Sequence, residues 1–357
     1  MKFFYLLFLT GLTLGLGSCT SEIRENLEAE PVAFGPMNHL VVVADSSLWT
    51  SAVGDTFDYY FAAAYPILPQ PEPIFDIRFF TPAQLMAENE RREMRTYIFL
   101  ADLQDENSPV TRMVKQDMGL EKAEEALKDK AFKVTLAKDK WAKGQLLVYM
   151  AGKGRNALIE SIRNQYAGVI QRIRKEEESR VAGGVYLGGE NDTLRQEIKL
   201  NLGVDLKVPA DYFRAMYDPD KRVMWIRKET PELSANIMIQ TLPYTDRKQL
   251  TGEGIKAIRD QLGKYVASEI PNTYMVTNDV DLPMLSTAGT FNNYYSVEAR
   301  GIWEMENDFM GGPFFGLLVH NPNNNQLYYL DGFIHAPSEN KREFMQQIEH
   351  IVRTAKF

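Results

Sequence analysis

The chain has 357 residues, a formal net charge of −8, four histidines and a single cysteine. With 45% hydrophobic and 25% charged residues, the composition is globular and supplies ample apolar material for a core, which excludes a disordered chain. The acidic balance and the lack of a long basic run argue against nucleic acid as a partner, and anionic lipid headgroups would repel the folded body.

The first element reads as a processing signal. Lys2 is the only charge ahead of an apolar run through Leu16, and that run is shorter than the about 20 residues of an ordinary membrane span. Its end, Leu16-Gly17-Ser18-Cys19, resembles the bacterial lipobox, whose cysteine is acylated and becomes the new amino terminus. The plainer alternative is an ordinary signal with an incidental cysteine. A solitary thiol placed behind the apolar run, and not inside the domain, favours lipidation of Cys19. At about 0.8 kcal/mol per buried methylene, several acyl chains hold a domain at a membrane without a spanning helix. The folded body then has no thiol for a disulfide, a metal or a nucleophile. Thr20 follows the cysteine where Asp would signal inner-membrane retention, so the resemblance implies an outer-membrane lipoprotein; Glu22 and Glu25 only weakly resemble a surface-export signal. The expected division is a signal peptide over 1–18, a lipidated tether over 19–36, an α+β domain over 37–180 and a second over 190–357.

Along the body, "HLVVVA" from His39 reads as a buried strand and "SSLWTSAVGDTFDYYFAAAYP" as a helix closed by Pro66. A proline-rich entry leads into a strand over 74–80, because each proline removes a donor and disfavours helix before it. Thr81-Pro82-Ala83-Gln84 supplies an N-cap, a first-turn proline and a capping-box glutamine. "RTYIFLADL" is the next strand, Ser108-Pro109 caps a helix, and "FKVTLAKDKWAKGQLLVYMAG" reads as a hairpin. Leu158, Ile162, Tyr166, Val169 and Ile173 recur at helical spacing. Periodicity fails in the glycine-rich stretch 178–192, the expected seam.

The second half opens with a short helix ending at Gly203, followed by "VDLKVP", "FRAMYD", "RVMWIRKE" and "NIMIQTL" as short antiparallel strands. A helix presents Ile255, Ile258, Leu262 and Tyr265. After a polar loop, "YYSVEARGIWEME", "PFFGLLVH" and "QLYYLDGFIHAP" form a meander, and Ser338 caps a closing helix with Phe344, Ile348 and Ile351 inward. The expected class is α+β: largely antiparallel sheets with helices packed on one face, in two similar-sized lobes.

Four segments, "LPQPEPIFDI", "VPADYFRAMYDPDKRVMWIRKET", "ARGIWEMENDFMGGPFFG" and "GFIHAPSENKREFMQQIEHI", resemble an uncharacterised Bacteroidota lipoprotein family, a domain of unknown function, over nearly the whole body. The resemblance supports lipidation and implies no catalytic residue. The layout of the second half is also similar to PsbP-like domains, in order of elements only.

Familiar chemical motifs are missing or weak. Gly152 to Ala157 fits G-x-G-x-x-A between a strand and a helix, but no ribose-binding acid follows at the right distance, so a glycine turn is expected and no nucleotide. His39, His320, His335 and His350 have no metal-binding spacing, and neither HExxH nor G-x-S-x-G occurs, so no metal and no cofactor is expected. Glu304, Glu306 and Asp308 alternate with Trp303 and Met305. If the strand persists, the three carboxylates share one face, where they could bind a hard cation or act with Glu298 as general acid and base. A solvated acidic sheet face is the commoner reason for such alternation. Trp225 and Arg227 could join Arg300 in a polar groove with an aromatic wall, although Trp225 also suits a core. These residues point to a membrane-anchored, non-catalytic protein binding an envelope protein, peptide or glycan, with an envelope hydrolase as the alternative.

Overall fold

The computed structural model describes residues 30–128 and 134–357. The expected signal peptide, Cys19 and most of the expected tether lie outside the described residues. The described residues divide into two compact units: those of 30–55 with 77–165, and those of 56–76 with 166–357. Both mix helix and strand, so the class is α+β with two lobes.

The first unit is built on β1 (His39–Val43), β2 (Asp76–Phe80), β3 (Thr96–Asp102), β4 (Thr135–Lys138) and β5 (Leu146–Gly152), in sheet order β2-β1-β3-β5-β4. The β4–β5 pair is the antiparallel hairpin expected from sequence, but β1–β3 and β3–β5 are parallel ladders. That explains why β3 and β5 read as nearly continuous apolar runs: strands covered on both faces need no alternation. The expected helix after β1 is two, α1 (Ser46–Trp49) and α2 (Ala52–Phe61). Next, α3 (Pro82–Ala87) begins with both hydrogen bonds of the Thr81–Gln84 capping box formed, and a single turn, α4 (Asn89–Arg92), follows it. Ser108 caps α5 (Pro109–Met118), whose Val110, Val114 and Met118 pack on Tyr97, Phe99 and Tyr149. A short α6 (Leu120–Lys128) precedes β4. Helix α7 runs from Arg155 to Val185, with its residues from Tyr166 onward counted in the second unit, so part of the glycine-rich stretch read as a break is helical.

In the second unit, α8 (Asp192–Leu202) stops at Gly203, which is left-handed with φ 75° as its C-cap requires. "VDLKVP" forms no strand: Val204, Leu206 and Val208 are buried, but the segment makes only isolated bridges at Asp205 and Pro209. The sheet comprises β6 (Phe213–Asp218), β7 (Val223–Glu229), β8 (Ser234–Pro243), β9 (Tyr274–Asn278), β10 (Leu285–Phe291), β11 (Tyr294–Glu306), β12 (Gly311–Asn321) and β13 (Gln326–His335). Its order is β10-β11-β12-β13-β8-β7-β6, with β9 also on β11, and all pairs are antiparallel. Strands β9 and β10 occupy what sequence suggested was loop.

Two helices complete the unit, α9 (Gly252–Gly263) and α10 (Arg342–Val352), and helices cover both sheet faces. Leu194, Ile198 and Leu202 of α8 and Met345, Ile348 and Ile351 of α10 pack on Ile226, Ile237, Phe315 and Leu330. Across the sheet, Ile255 and Leu262 of α9 pack on Met238, Val297, Phe314 and Phe333. Ser338 does not cap α10. The Glu72 carboxylate accepts hydrogen bonds from the Lys341 and Arg342 amides at 2.5 and 3.1 Å, a cap supplied from 270 residues away along the chain. Among the described residues no helix is long and apolar enough to cross a membrane.

Candidate functional site

The polar groove expected from Trp225, Arg227 and Arg300 does not form. Three strands separate β7 from β11, a distance of about 19 Å at ordinary strand spacing. The side chains also leave opposite faces: Trp225 packs with the α9 side of the sheet, whereas Arg300 stacks on Phe315 on the α10 side. Trp225 donates its indole N–H to Asn236 at 3.0 Å, and Arg227 lies 5.2 Å over the Trp225 ring and pairs with Glu229. Trp303 is buried, donates to the Ile334 carbonyl at 3.1 Å and stands edge-on to Phe333, which makes it a core residue.

The acidic run is dispersed. Glu304 and Glu306 are exposed on one face of β11, and Glu304 accepts from the Asn278 amide at 2.8 Å. Asp308 does not join them, because β11 ends at Glu306 and Asn307 turns the chain with φ 62°. Its carboxylate instead accepts from the next backbone amide, that of Phe309. Glu298 is held by a two-bond pair with Arg353 at 2.7 and 2.9 Å.

The histidines sit on four separate elements. His320 lies tilted against Tyr244 with the ring centroids 4.2 Å apart, His335 approaches the Gly311 carbonyl, His39 begins β1 and His350 lies on α10. Among the described residues no group of three or more acidic, histidine or cysteine side chains could hold a metal ion. At the glycine turn, the Gly154 amide is already taken by the Asp102 carboxylate at 2.9 Å, so a carboxylate stands where a phosphate would have to sit.

What the fold does assemble is a cavity of about 580 Å³ in the second unit, beside Arg300. Its floor is a closed set of charges. Arg300 makes a two-bond pair with Glu349 of α10, one bond measuring 2.7 Å, and the Tyr65 hydroxyl donates to Glu349 at 2.7 Å. The guanidinium carbons of Arg300 and Arg353 lie 4.8 and 5.1 Å from the centroid of the Phe315 ring, so one aromatic supports both cations. Pro66 and Val181 line the apolar part of the wall.

These contacts fix the protonation states. Burial would raise the Glu349 carboxyl, but the hydrogen bonds and charge of Arg300, with the Tyr65 hydroxyl, outweigh it and hold it below its ordinary range. Burial likewise works against the Arg300 cation, and Glu349 more than restores it. Tyr65 is pushed well up, first by burial and then by the Glu349 charge, so it stays a neutral donor. His350, in the same wall, is lowered by burial and is neutral at pH 7. Both Glu349 oxygens are therefore occupied, and this carboxylate is not a free base. The rim differs: Arg174 and Lys175 are exposed and neither is ion-paired among the described residues, with the carboxylates of Glu177 and Glu178 also in the cavity wall.

Of this cavity only Arg300 was singled out by sequence. Tyr65, Glu349, His350, Arg353, Arg174 and Lys175 carry no local pattern, because Glu349 meets Arg300 across 49 residues of chain and Tyr65 across 284.

Comparison with known proteins adds no activity. Residues 33–185 match a domain of unknown function, DUF8532, and residues 191–354 match a second, DUF4837; together the two cover most of the chain. Their junction falls inside the glycine-rich stretch 178–192. No curated protein matches the sequence. Among solved structures, LpqN, involved in cell envelope biogenesis of Mycobacterium tuberculosis, is 12% identical over 43% of this chain and 82% of its own, with a TM-score of 0.27. The Saccharomyces cerevisiae Ran-binding protein Mog1p is 10% identical over 43% of this chain and 89% of its own, also at 0.27. Likenesses at this level carry no functional information.

Proposed function

We propose that the protein is an outer-membrane lipoprotein of the Bacteroidota type, anchored through Cys19. In this reading the second lobe is a non-catalytic binding module that takes an acidic peptide or glycan of the envelope in the cavity beside Arg300. Anchoring is supported by the charge-then-apolar pattern ahead of Leu16-Gly17-Ser18-Cys19. Binding is supported above all by the state of the floor. Arg300, Glu349 and Arg353 are already partnered there, which suits a rigid recognition surface and leaves Glu349 held in place, not poised for proton transfer. The unpaired cations on the rim, Arg174 and Lys175, give the preference for an anionic ligand.

Two measurements test the parts separately. Cys19→Ala should move the protein out of the membrane fraction and abolish incorporation of labelled fatty acid; a variant that stays lipidated and membrane-bound disproves the anchor. For the cavity, calorimetric titration with acidic and neutral glycans and peptides should give binding only for the acidic members. Reversing both rim charges, Arg174→Glu with Lys175→Glu, should remove that binding. Equal affinity for neutral and acidic members would reject the proposed ligand class.

A further inference from the structure

The eight-stranded sheet has two free edges, and they are built differently. At β6 the register slips between Arg214 and Met216, and the strand carries Arg214, paired with Glu197, and Asp218, which accepts from Tyr265 at 2.6 Å. Bulges and edge charges are the usual devices that stop a sheet from recruiting another strand. At the other edge, β10 reads Leu-Ser-Thr-Ala-Gly-Thr-Phe. It has no charge, no proline and no register slip against β11, and its first six residues are exposed.

The open hydrogen-bonding groups of β10 follow from its turn. Asn292 and Asn293 have φ 49° and 67°, the two positive values of a type I′ hairpin, which closes on a hydrogen-bonded pair, here Phe291 with Tyr294. Antiparallel pairs alternate, so Gly289, Thr287 and Leu285 bond to β11, while the amides and carbonyls of Ser286, Ala288 and Thr290 point outward. This is a regular row of donors and acceptors with small, uncharged side chains beside it. Behind it on β11, Glu298 and Arg300 are neutralised by Arg353 and Glu349, so an incoming uncharged strand meets no unbalanced charge.

We infer that β10 is an acceptor edge for strand addition, and that its partner is an extended, uncharged segment of another polypeptide, about as long as the seven residues of β10. A second copy of this chain fits less well. A two-fold β10 pairing would bring together two chains, each with a formal net charge of −8 over its full sequence, along one strand of small side chains. The seven residues of one strand are far fewer than the about 20–30 residues a side of a stable interface. A peptide brings no second body.

The test is selection of random seven-residue peptides displayed on phage against the full chain, followed by titration of the synthetic winners. Two variants probe the edge. Ala288→Pro removes one outward donor without touching a ladder bond to β11, and Ala288→Lys keeps the backbone but adds the edge charge that β10 lacks. Selected peptides should lose about tenfold or more in affinity on each variant. They should protect the amides of Ser286, Ala288 and Thr290 from hydrogen exchange, and keep their affinity on the Arg174→Glu, Lys175→Glu chain. Independence from the rim charges separates this edge from the cavity, so either can fail alone. Three results would overturn the inference: no enriched peptide, peptides indifferent to both Ala288 variants, or wild-type dimers that these variants dissolve. The last would assign the edge to a second copy.

Discussion

Two arginine–carboxylate clusters sit back to back on the sheet of the second unit, and they use the same parts. On one face Arg259 of α9 lies 3.7 Å over Phe314, bonds Asp331 at 3.1 Å and shares it with the Tyr329 hydroxyl. On the other, Arg300 lies 4.8 Å over Phe315, bonds Glu349 and shares it with the Tyr65 hydroxyl. Phe314 and Phe315 are neighbours on β12 whose side chains leave opposite faces, as period two requires. The difference lies in access and in completeness. Arg259 and Asp331 are 1% and 0% exposed, sealed beneath α9, and one Asp331 oxygen has no partner. Glu349 has both oxygens occupied and its cluster opens onto a cavity. The sealed cluster is a structural strut, and the open one is a surface that a ligand can reach.

The largest expected effect sharpens that contrast. Arg259→Leu leaves the buried Asp331 without its counter-charge, and should cost about 3–5 kcal/mol in urea unfolding. The double change Arg259→Met with Asp331→Leu should recover most of it, because a well-packed apolar pair spares both desolvation penalties. A loss under about 1 kcal/mol for the single change would mean that the pair is not the sealed strut described.

The next effect is one of sign. Burial raises the Asp331 carboxyl above its ordinary value, outweighing Arg259 and the Tyr329 bond, whereas Glu349 is lowered. A raised carboxyl gives stability that is present below the unfolded value of about 3.9 and lost as pH rises through the folded one. A lowered carboxyl gives stability present above about 4.3 and lost as pH falls through the folded one. The penalty of Asp331→Asn should therefore shrink as pH rises, while that of Glu349→Gln, about 1–3 kcal/mol at neutral pH, should shrink in acid. Parallel pH profiles for the two variants would show that the clusters are electrostatically alike.

These clusters also show where sequence reading stops. The Thr81–Gln84 capping box was legible because all its partners lie within four residues. The cap of α10 was not, because Glu72 supplies it from far along the chain and Ser338 only resembles a cap. Period two places Arg300 opposite Trp303, but it says nothing of strand order, so Trp225 and Arg227 became its imagined neighbours and Glu349 went unnoticed. Strand β10 was missed for the property that makes it an open edge: six exposed positions leave no apolar alternation to read. "VDLKVP" alternates well yet buries its apolar side chains without joining a ladder, since alternation reports a buried face and not a paired backbone.

A smaller effect belongs to the hydroxyl that closes the cavity floor. Tyr65→Phe removes one donor to Glu349 while the two-bond pair with Arg300 remains, so the loss should be about 1 kcal/mol. The Glu349 carboxyl should also move part of the way back toward its ordinary range, since the Tyr65 bond is one of the causes holding it down. A carboxyl titration by carbon NMR measures that directly.

The smallest effect on stability should accompany the largest effect on binding. Arg174 and Lys175 are exposed on α7, make no ion pair among the described residues and contribute nothing to the core. Reversing both charges should leave unfolding within about 0.5 kcal/mol of wild type. If the cavity takes an acidic ligand, the same change turns the rim from attractive to repulsive, so affinity should collapse and its salt dependence should vanish with it. Glu349→Gln should do the reverse, costing stability while leaving the rim's attraction for anions in place. A result in which both variants lose stability and binding together would merge strut and surface into one role, and the contrast between the two faces of the sheet would then be one of exposure alone.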